Sequence, residues 1–297
     1  MAAKDRVWFI TGASSGFGKA LAEAVLSRGE RVVLAARRVD RLIDIAQPYG
    51  DRALALPLDV TDGEQRARAV DASVRHFGRI DVLANIAGRG SVGAVEEFAP
   101  EQLRDQLEVN FFAAAELTRL ILPLMRKQRS GHILNLTSVG GVVSLGGFGA
   151  YCAGKFALEG WSDALRDEVA PFGIRVTIVE PGNFRTEFAG GVNLRPENRL
   201  EAYRQVIGPV EDFLYGQSGR QAGDPDKAAA LMIEAVDSPN PPGRLMMGKD
   251  AFDLYDRLIA ARQKEYDEWR SRGEATAFDG AKALPIHFQR GQAEQHP

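Results

Sequence analysis

The sequence lacks several features that particular classes of protein require. Cys152 is its only cysteine, so the chain cannot form an internal disulfide. No run of about 18 apolar residues suggests a membrane-spanning helix. The formal net charge of −3 provides no basic excess for binding nucleic acid. We therefore expect a protein of the reducing cytoplasm, with neither a membrane nor a nucleic acid as partner.

Histidines are also scarce and scattered, which argues against a metal centre. The four are His76, His132, His287 and His296, and none has a ligand-like spacing or a cysteine pair nearby. What is present is a chain of 297 residues that is 45% hydrophobic. That length and apolar content allow one large α/β domain with appendages.

A glycine-rich turn separates the first strand-like run from the first helical pattern. The apolar run from Val7 to Thr11 stops at Gly12, and a helical pattern begins a few residues later. Glycines let backbone N–H groups approach a pyrophosphate, and a helix N-terminus adds partial positive charge there. We predict cofactor contacts from Gly12, Ser14, Ser15, Gly16, Phe17 and Gly18. The alternative is a tight turn without a ligand.

The second strand-like run, Arg31 to Ala36, ends in two arginines. Folds that prefer NAD carry an acidic residue about 20 residues beyond the glycine turn, where it accepts hydrogen bonds from ribose hydroxyls. Here Ala36 stands near that place and Arg37 and Arg38 follow. Guanidinium groups match a phosphate in charge and geometry, which favours NADP over NAD. The alternative is a strand end with solvated arginines.

Further apolar runs alternate with helical patterns along the chain. They cover residues 53–58, 81–85, 131–138, 174–180 and 244–248. This alternation predicts a doubly wound, Rossmann-like parallel sheet with right-handed crossovers. Ligands of such sheets bind at the carboxyl ends of the strands. That edge would gather Gly12, Asp59, Asn85, Ser138 and Pro181.

Tyr151 and Lys155 are four residues apart, so on a helix they lie on one face. A tyrosine with its ordinary pKa of about 10 is a poor acid or base near neutrality, whereas a neighbouring ammonium favours the phenolate. This pair suits proton transfer to a carbonyl or from an alcohol. The alternative is an ordinary surface pair, because the spacing is common. Cys152, beside Tyr151, is interpreted as a small packing residue.

Three stretches leave alternatives open. Asn110 lies inside the helical pattern 101–126, where it marks either a purposeful bend or a tolerated polar residue. The irregular stretch 183–223 is either a substrate-binding loop or ordinary packing. Its large apolar and aromatic residues are Phe184, Phe188, Tyr203, Phe213, Leu214 and Tyr215. A charged helix with an apolar stripe over residues 252–269 packs either on its own domain or on a partner subunit.

We therefore divide the chain into a catalytic domain, residues 1–250, and a helical extension with a tail, residues 251–297. The substrate loop, 183–223, belongs to the first of these. The last stretch, from about residue 273, has few apolar anchors.

Taken in order, these motifs resemble the short-chain dehydrogenase/reductase family in its compact, non-extended branch, over about residues 5–248. The resemblance implies a catalytic tetrad of Asn110, Ser138, Tyr151 and Lys155. It also implies cofactor contacts from Arg37, Asp59, Val60, Asn85, Ala87, Gly88, Tyr151, Lys155, Pro181, Gly182 and Thr186. Two positions depart from the family pattern: Phe17 replaces the usual isoleucine or leucine, and Ile86 replaces an asparagine.

The resemblance also implies a mechanism and an assembly. Hydride would move between the nicotinamide of NADP and the carbon of a fairly apolar carbonyl or secondary alcohol, with Tyr151 as general acid or base. Ser138 would orient the substrate oxygen. Lys155 would bind the nicotinamide ribose and lower the pKa of Tyr151, and Asn110 would hold a water in a proton relay. The helices that contain Asn110 and Tyr151 would pair subunits into homodimers or homotetramers.

Two other functions compete with this one. A non-catalytic NADP-binding regulator on the same fold would usually lack part of the tetrad, which is complete here. A nucleotide-sugar epimerase or dehydratase of the extended branch would contain a Gly-x-x-Gly-x-x-Gly turn, which this chain lacks.

Overall fold

The computed structural model describes residues 5–190 and 193–282. Within them, seven strands are β1 Val7–Thr11, β2 Arg31–Ala36, β3 Ala53–Pro57, β4 Val82–Asn85, β5 Gly131–Leu136, β6 Ile174–Pro181 and β7 Arg244–Met247. The α-helices are α1 Gly16–Ser27, α2 Val39–Ala46, α3 Gly63–Phe77, α4 Pro100–Leu107, α5 Ala113–Gln128, α6 Gly149–Val169, α7 Arg204–Gly216, α8 Pro225–Asp237 and α9 Lys249–Glu274. Every predicted strand is present, with bounds within two residues of those expected.

The strands form one parallel sheet in the order β3-β2-β1-β4-β5-β6-β7. The direction of winding reverses between β1 and β4, and ligands bind at such a switch point beside the carboxyl ends of the strands. The predicted doubly wound, Rossmann-like fold of a single domain is confirmed.

Alternating side chains of the strands divide the core between the two faces of the sheet, as the period of two requires. In β1, Trp8 and Ile10 pack with α1, α2 and α8, whereas Val7 and Phe9 pack with α3, α5 and α6. All four side chains are fully buried. The sheet is thereby fixed from both faces, which holds its carboxyl edge rigid.

Two predicted stretches differ from the structure. The predicted helix 101–126 is divided by a π-helical turn, Glu108–Phe112, which contains Asn110. Such turns occur frequently at functional sites, which favours the purposeful bend over the tolerated polar residue. The stretch 183–223 is not irregular throughout, because it contains α7.

Helix α9 continues from β7 but buries little of its apolar stripe. Ala251 is its one buried residue, and Phe252 is 49% exposed, while Tyr266 and Trp269 are each 61% exposed. The distal stripe therefore does not pack on its own domain, which leaves the partner-subunit alternative. The division of the chain at residue 250 stays a prediction. Residues 1–4 and 283–297, with the predicted tail, His287 and His296, lie outside the described residues.

The described part of the chain has neither a membrane-spanning helix nor a cluster of metal ligands. In residues 5–190 and 193–282, no helix combines the length and the apolar character needed to span a bilayer. The same part of the chain contains no group of three or more His, Cys, Asp or Glu residues that could hold a metal ion.

Candidate active site

The glycine turn between β1 and α1 closes tightly on the backbone that follows β4. Gly12 has a φ of 67°, and a Cβ there would lie 3.1 Å from the backbone of Ala87. A Cβ on Gly18 would lie only 2.4 Å from the carbonyl oxygen of Gly12. Thr11 Oγ1 accepts hydrogen bonds from the N–H groups of Ile86 and Ala87, at 2.9 and 3.0 Å. The turn thus fits a phosphate-binding cradle, because no side chain stands between its backbone and a ligand.

Arg38 bridges this turn and the start of α2. Its Nη2 donates to Ser15 Oγ at 2.9 Å and to Ser14 Oγ at 3.2 Å. Its Nη1 donates to Glu187 Oε2 at 3.1 Å, and Arg41 Nη1 donates to the other carboxylate oxygen, Oε1, at 2.9 Å. A group of cations and hydroxyls therefore surrounds one anionic position at the end of β2.

Arg37 faces the same cavity from the end of β2, close to Asp59. Burial opposes ionisation of Asp59. Hydrogen bonds from Thr61 N and Oγ1, at 3.0 and 2.8 Å, and the charge of Arg37 outweigh it, so the pKa of Asp59 is lowered. Asp59 is thus a fixed negative charge beside Arg37.

Ser138, Tyr151 and Lys155 converge where β5 ends against α6. Tyr151 forms a hydrogen bond with Ser138, whose Oγ also accepts from the N–H of Gly140 at 3.0 Å. The Nζ atom of Lys155 donates to the carbonyl of Leu136 at 2.8 Å and lies 5.9 Å from the centroid of the Tyr151 ring. The serine hydroxyl, the phenol and the ammonium therefore share one wall.

The prediction that Lys155 lowers the pKa of Tyr151 is not met in this structure. Burial raises the pKa of Tyr151 above its ordinary value, and the hydrogen bond with Ser138 offsets only part of that rise. Burial also lowers the pKa of Lys155 to about 8, against the opposing charge of Glu159. The spacing of the pair could be predicted from the sequence, whereas the burial that penalises both charges could not.

Asn110 is buried in the π-helical turn and tethers the segment after β4. Its Nδ2 donates to the carbonyl of Arg89 at 2.8 Å, and its Oδ1 accepts from the N–H of Arg89 at 3.1 Å. A Cβ on Gly88 would lie 2.8 Å from Asn110 Oδ1 and 3.3 Å from Lys155 Nζ. Gly88 thus lets Asn110 approach Lys155. The proposed water relay through Asn110 stays a prediction.

One cavity of about 820 Å³ collects most of the predicted site residues. It is lined by Gly12, Ser14, Ser15, Gly16, Phe17, Arg37, Arg38, Asp59, Val60, Ala87, Gly88, Ser138, Tyr151, Lys155, Pro181, Gly182 and Thr186. Gly18, Asn85 and Asn110 are not among its lining residues. Asn85 instead donates to Thr118 Oγ1 and Asn135 Oδ1, at 3.0 and 2.8 Å. Its Nδ2 group thus ties β4 to β5 and α5, and its predicted cofactor contact stays a prediction.

Much of the remaining lining is apolar and comes from several separate elements. This apolar part includes Val139, Val143, Leu145, Phe148, Phe188, Phe213, Leu214 and Leu254. Among the aromatics predicted for a binding loop, Phe184, Phe188 and Phe213 line the cavity, whereas Tyr203 and Tyr215 do not. Apolar residues between the glycines of residues 140–149 were the available sequence signal for Val143, Leu145 and Phe148. Arg41 and Glu187 were also missed, although Arg41 lies in the first turn of α2, three residues after Arg38.

We call the stretches 183–190 and 193–216, which cover the cavity, the lid. The lid packs on the segment after β4 through a small cluster of Val92, Ala94, Ile207 and Leu214. Tyr203 donates its hydroxyl to Glu96 at 2.7 Å, and Glu97 accepts from the N–H of Leu200 at 2.9 Å. Cys152 lines the cavity, but burial raises the pKa of its thiol to about 11, which disfavours the nucleophilic thiolate. Its inferred packing role fits that environment.

Comparison with known proteins places this site in a family. The sequence model of the short chain dehydrogenases matches residues 6–197. A protein of Botryotinia fuckeliana, oxidoreductase BOA17, is 35% identical over 92% of this chain and 99% of its own length. A 3-ketodihydrosphingosine reductase of Bacteroides thetaiotaomicron is 35% identical over 82% of this chain and 88% of its own.

Solved structures show the same relationship. A short-chain dehydrogenase from Streptomyces avermitilis is 46% identical and superposes with a TM-score of 0.87 over 93% of this chain and 100% of its own. A short-chain dehydrogenase from Burkholderia cenocepacia in complex with NADP is 27% identical, with a TM-score of 0.70 over 90% and 98% of the two chains. One from Burkholderia phymatum in complex with NAD is 25% identical, with a TM-score of 0.74 over 97% and 100%.

Proposed function

This chain belongs to the short-chain dehydrogenase/reductase family, whose members use NAD or NADP, and we propose that it is an NADP-dependent oxidoreductase of apolar carbonyls or secondary alcohols. The observation that carries this proposal is the convergence of Ser138, Tyr151 and Lys155 in one cavity that also has many apolar lining residues. Cavities of this volume and character suit small molecules with few polar groups. The reductase of Bacteroides thetaiotaomicron, named for a keto substrate, is consistent with this class.

The residues divide the work as follows. The glycine turn would hold the pyrophosphate, Arg37 and Arg38 the 2′-phosphate, and Lys155 the nicotinamide ribose. When bound, the nicotinamide supplies or accepts a hydride at the substrate carbon. Ser138 would donate to the substrate oxygen and orient it toward Tyr151. Burial keeps the phenol of Tyr151 protonated at neutral pH, which is the state that a proton donor to a carbonyl requires.

The experiment is a panel of apolar ketones, aldehydes and secondary alcohols, assayed with NADPH and NADP⁺ and repeated with NADH and NAD⁺. We expect oxidation of NADPH that depends on the carbonyl, and weaker binding of NADH. Equal affinity for NADH and NADPH would overturn the role of Arg37 and Arg38. Binding of NADPH without turnover across the panel would favour the regulatory alternative.

We also propose that subunits pair through α5 and α6. Three large apolar side chains at or near these helices are exposed in the single chain: Phe112 by 44%, Leu120 by 41% and Phe156 by 38%. A shared interface would remove this surface from water. Light scattering coupled to size-exclusion chromatography tests the assembly, and a monomer at micromolar concentration would overturn it.

A further inference from the structure

The position enclosed by Arg38, Arg41, Ser14 and Ser15 already holds an anion of the chain itself. The two oxygens of the Glu187 carboxylate each accept from a different guanidinium, at 3.1 Å from Arg38 and 2.9 Å from Arg41. Arg38 meanwhile keeps its hydrogen bonds with the serine hydroxyls of the glycine turn. Two guanidinium groups beside two hydroxyls form the donor set that a phosphomonoester prefers.

Glu187 reaches this position from the lid, across the crevice. It lies in a single 3₁₀ turn, Glu187–Ala189, that follows Thr186. The Thr186 side chain lies 3.2 Å from the place a Cβ on Gly16 would occupy. The ring of Phe188 packs edge to face on the ring of Tyr151, with centroids 5.6 Å apart. Three successive residues therefore touch the arginines, the glycine turn and the proposed catalytic tyrosine.

Resting on the proposed NADP cofactor, we propose that Glu187 is an internal competitor for the 2′-phosphate and so sets the preference between NADP and NAD. The 2′-phosphate can engage Arg38 and Arg41 only after Glu187 releases them. NAD carries no such group, so Glu187 can keep both arginines while NAD binds. Glu187 thus weakens the binding of NADP but not that of NAD. It thereby reduces the preference for NADP over NAD that Arg37 and Arg38 create.

The charges and exposure of the three residues permit this exchange. The side chains of Arg38, Arg41 and Glu187 are 42%, 50% and 50% exposed, so solvent and ligand can reach all three. Hydrogen bonds from Arg41 and then Arg38, against slight burial, lower the pKa of Glu187, which therefore stays ionised at neutral pH. A phosphomonoester carries up to two negative charges near neutrality against one on the carboxylate. The phosphate therefore wins the competition, although its net affinity is reduced.

The test compares Glu187→Gln with a control on the same lid, Glu201→Gln, whose carboxylate pairs with Arg204 outside the cavity. Binding of NADPH and NADH is titrated by protein fluorescence. Binding of the fragments 2′,5′-ADP and 5′-AMP is measured by calorimetry, so that the readout does not depend on turnover. Thermal unfolding confirms that both variants fold.

We expect Glu187→Gln to tighten NADPH and 2′,5′-ADP by about 3- to 10-fold, because two exposed ion pairs of modest strength no longer compete. NADH and 5′-AMP should stay within about 2-fold of the wild type, as should every ligand with Glu201→Gln. Equal changes for both cofactors, no change, or weaker NADPH binding would overturn the competitor role. If the wild type fails to prefer NADPH over NADH, the proposed cofactor itself is wrong, which is a separate outcome.

Discussion

Two sides of one cavity are held in place by different forces. The sheet wall, which comprises the glycine turn with Ser138, Tyr151 and Lys155, rests on buried strands and the first turns of α6. Tyr151 is 8% and Lys155 is 3% exposed. The lid is held by a small buried cluster, by hydrogen bonds such as that from the N–H of Leu200 to Glu97, and by half-exposed ion pairs such as those of Glu187. Fixed geometry suits proton transfer, whereas a weakly held cover can exchange contacts with ligands.

The largest expected effect is on catalysis, because the proposed proton donor belongs to the sheet wall and not to the lid. Tyr151→Phe should lower kcat by about 10²- to 10⁴-fold, the usual contribution of a general acid. The Kd of NADPH should change by less than about 2-fold, because the ring and its packing are kept. Steady-state kinetics and fluorescence titration measure the two quantities. Tyr203→Phe on the lid is the matched control. Equal losses of kcat in the two variants would contradict the assignment of proton transfer to the sheet wall.

Acid should act on the strands that support the sheet wall through His132, which is buried near the start of β5. Burial, with smaller contributions from the charges of Arg175 and Arg6, lowers the pKa of His132 to about 4. A folded-state pKa below the unfolded value means that stability is complete above about pH 6.5 and is lost as the pH falls toward 4. The expected loss is about 3 kcal/mol in the free energy of unfolding.

Urea unfolding between pH 7.5 and 4.5 measures this loss. His132→Gln keeps a partner for Thr177 Oγ1, which lies 2.9 Å from the imidazole Nε2, and removes the titrating group. This variant should lose less stability in acid than the wild type. His76 is exposed, so His76→Gln is the control for removing an imidazole that is not buried. If stability fell equally with pH in His132→Gln and in the wild type, His132 would not be the cause of the loss in acid.

A smaller effect concerns the close packing of the glycine turn. Gly18→Ala forces a methyl group against the carbonyl of Gly12, at an initial distance of 2.4 Å. Overpacking of this kind costs about 1 to 3 kcal/mol. The affinity for NADPH should also fall, since the cradle must shift. Gly160→Ala on α6 has no atom within 4 Å of its new methyl group and should instead stabilise by up to about 1 kcal/mol.

Denaturant unfolding and NADPH titration of both glycine variants provide the measurement. If Gly18→Ala matched the wild type in stability and affinity, the turn would be looser than the contact implies. The sheet wall would then be held about as loosely as the lid.

The same contrast explains how much the sequence could predict. Strands and the glycine turn follow from local patterns, and the spacing of Tyr151 and Lys155 follows from helical geometry. The lid does not, because Pro209 lies inside α7 and conceals its helical pattern. The pairing of Glu187 with Arg38 joins residues 149 apart in sequence, which no local pattern can indicate. The π-helical turn at Asn110 likewise departs from the 3.6-residue period.

The smallest expected effect lies on the lid itself. Phe188→Ala removes the edge-to-face contact with Tyr151 and part of the apolar wall, but no group that transfers a proton. Loss of a contact between this ring and an apolar substrate would cost about 1 kcal/mol of binding, which corresponds to a rise in KM of about 3- to 10-fold. Since ground state and transition state lose this contact alike, kcat should stay within about 3-fold of the wild type.

Phe252→Ala is the matched control, because Phe252 is 49% exposed on α9 and does not line the cavity. Its KM and kcat should both equal those of the wild type. If Phe188→Ala lowered kcat nearly as much as Tyr151→Phe, the ring of Phe188 would be holding the phenol in its reactive position. The chemistry would then depend on both the sheet wall and the lid.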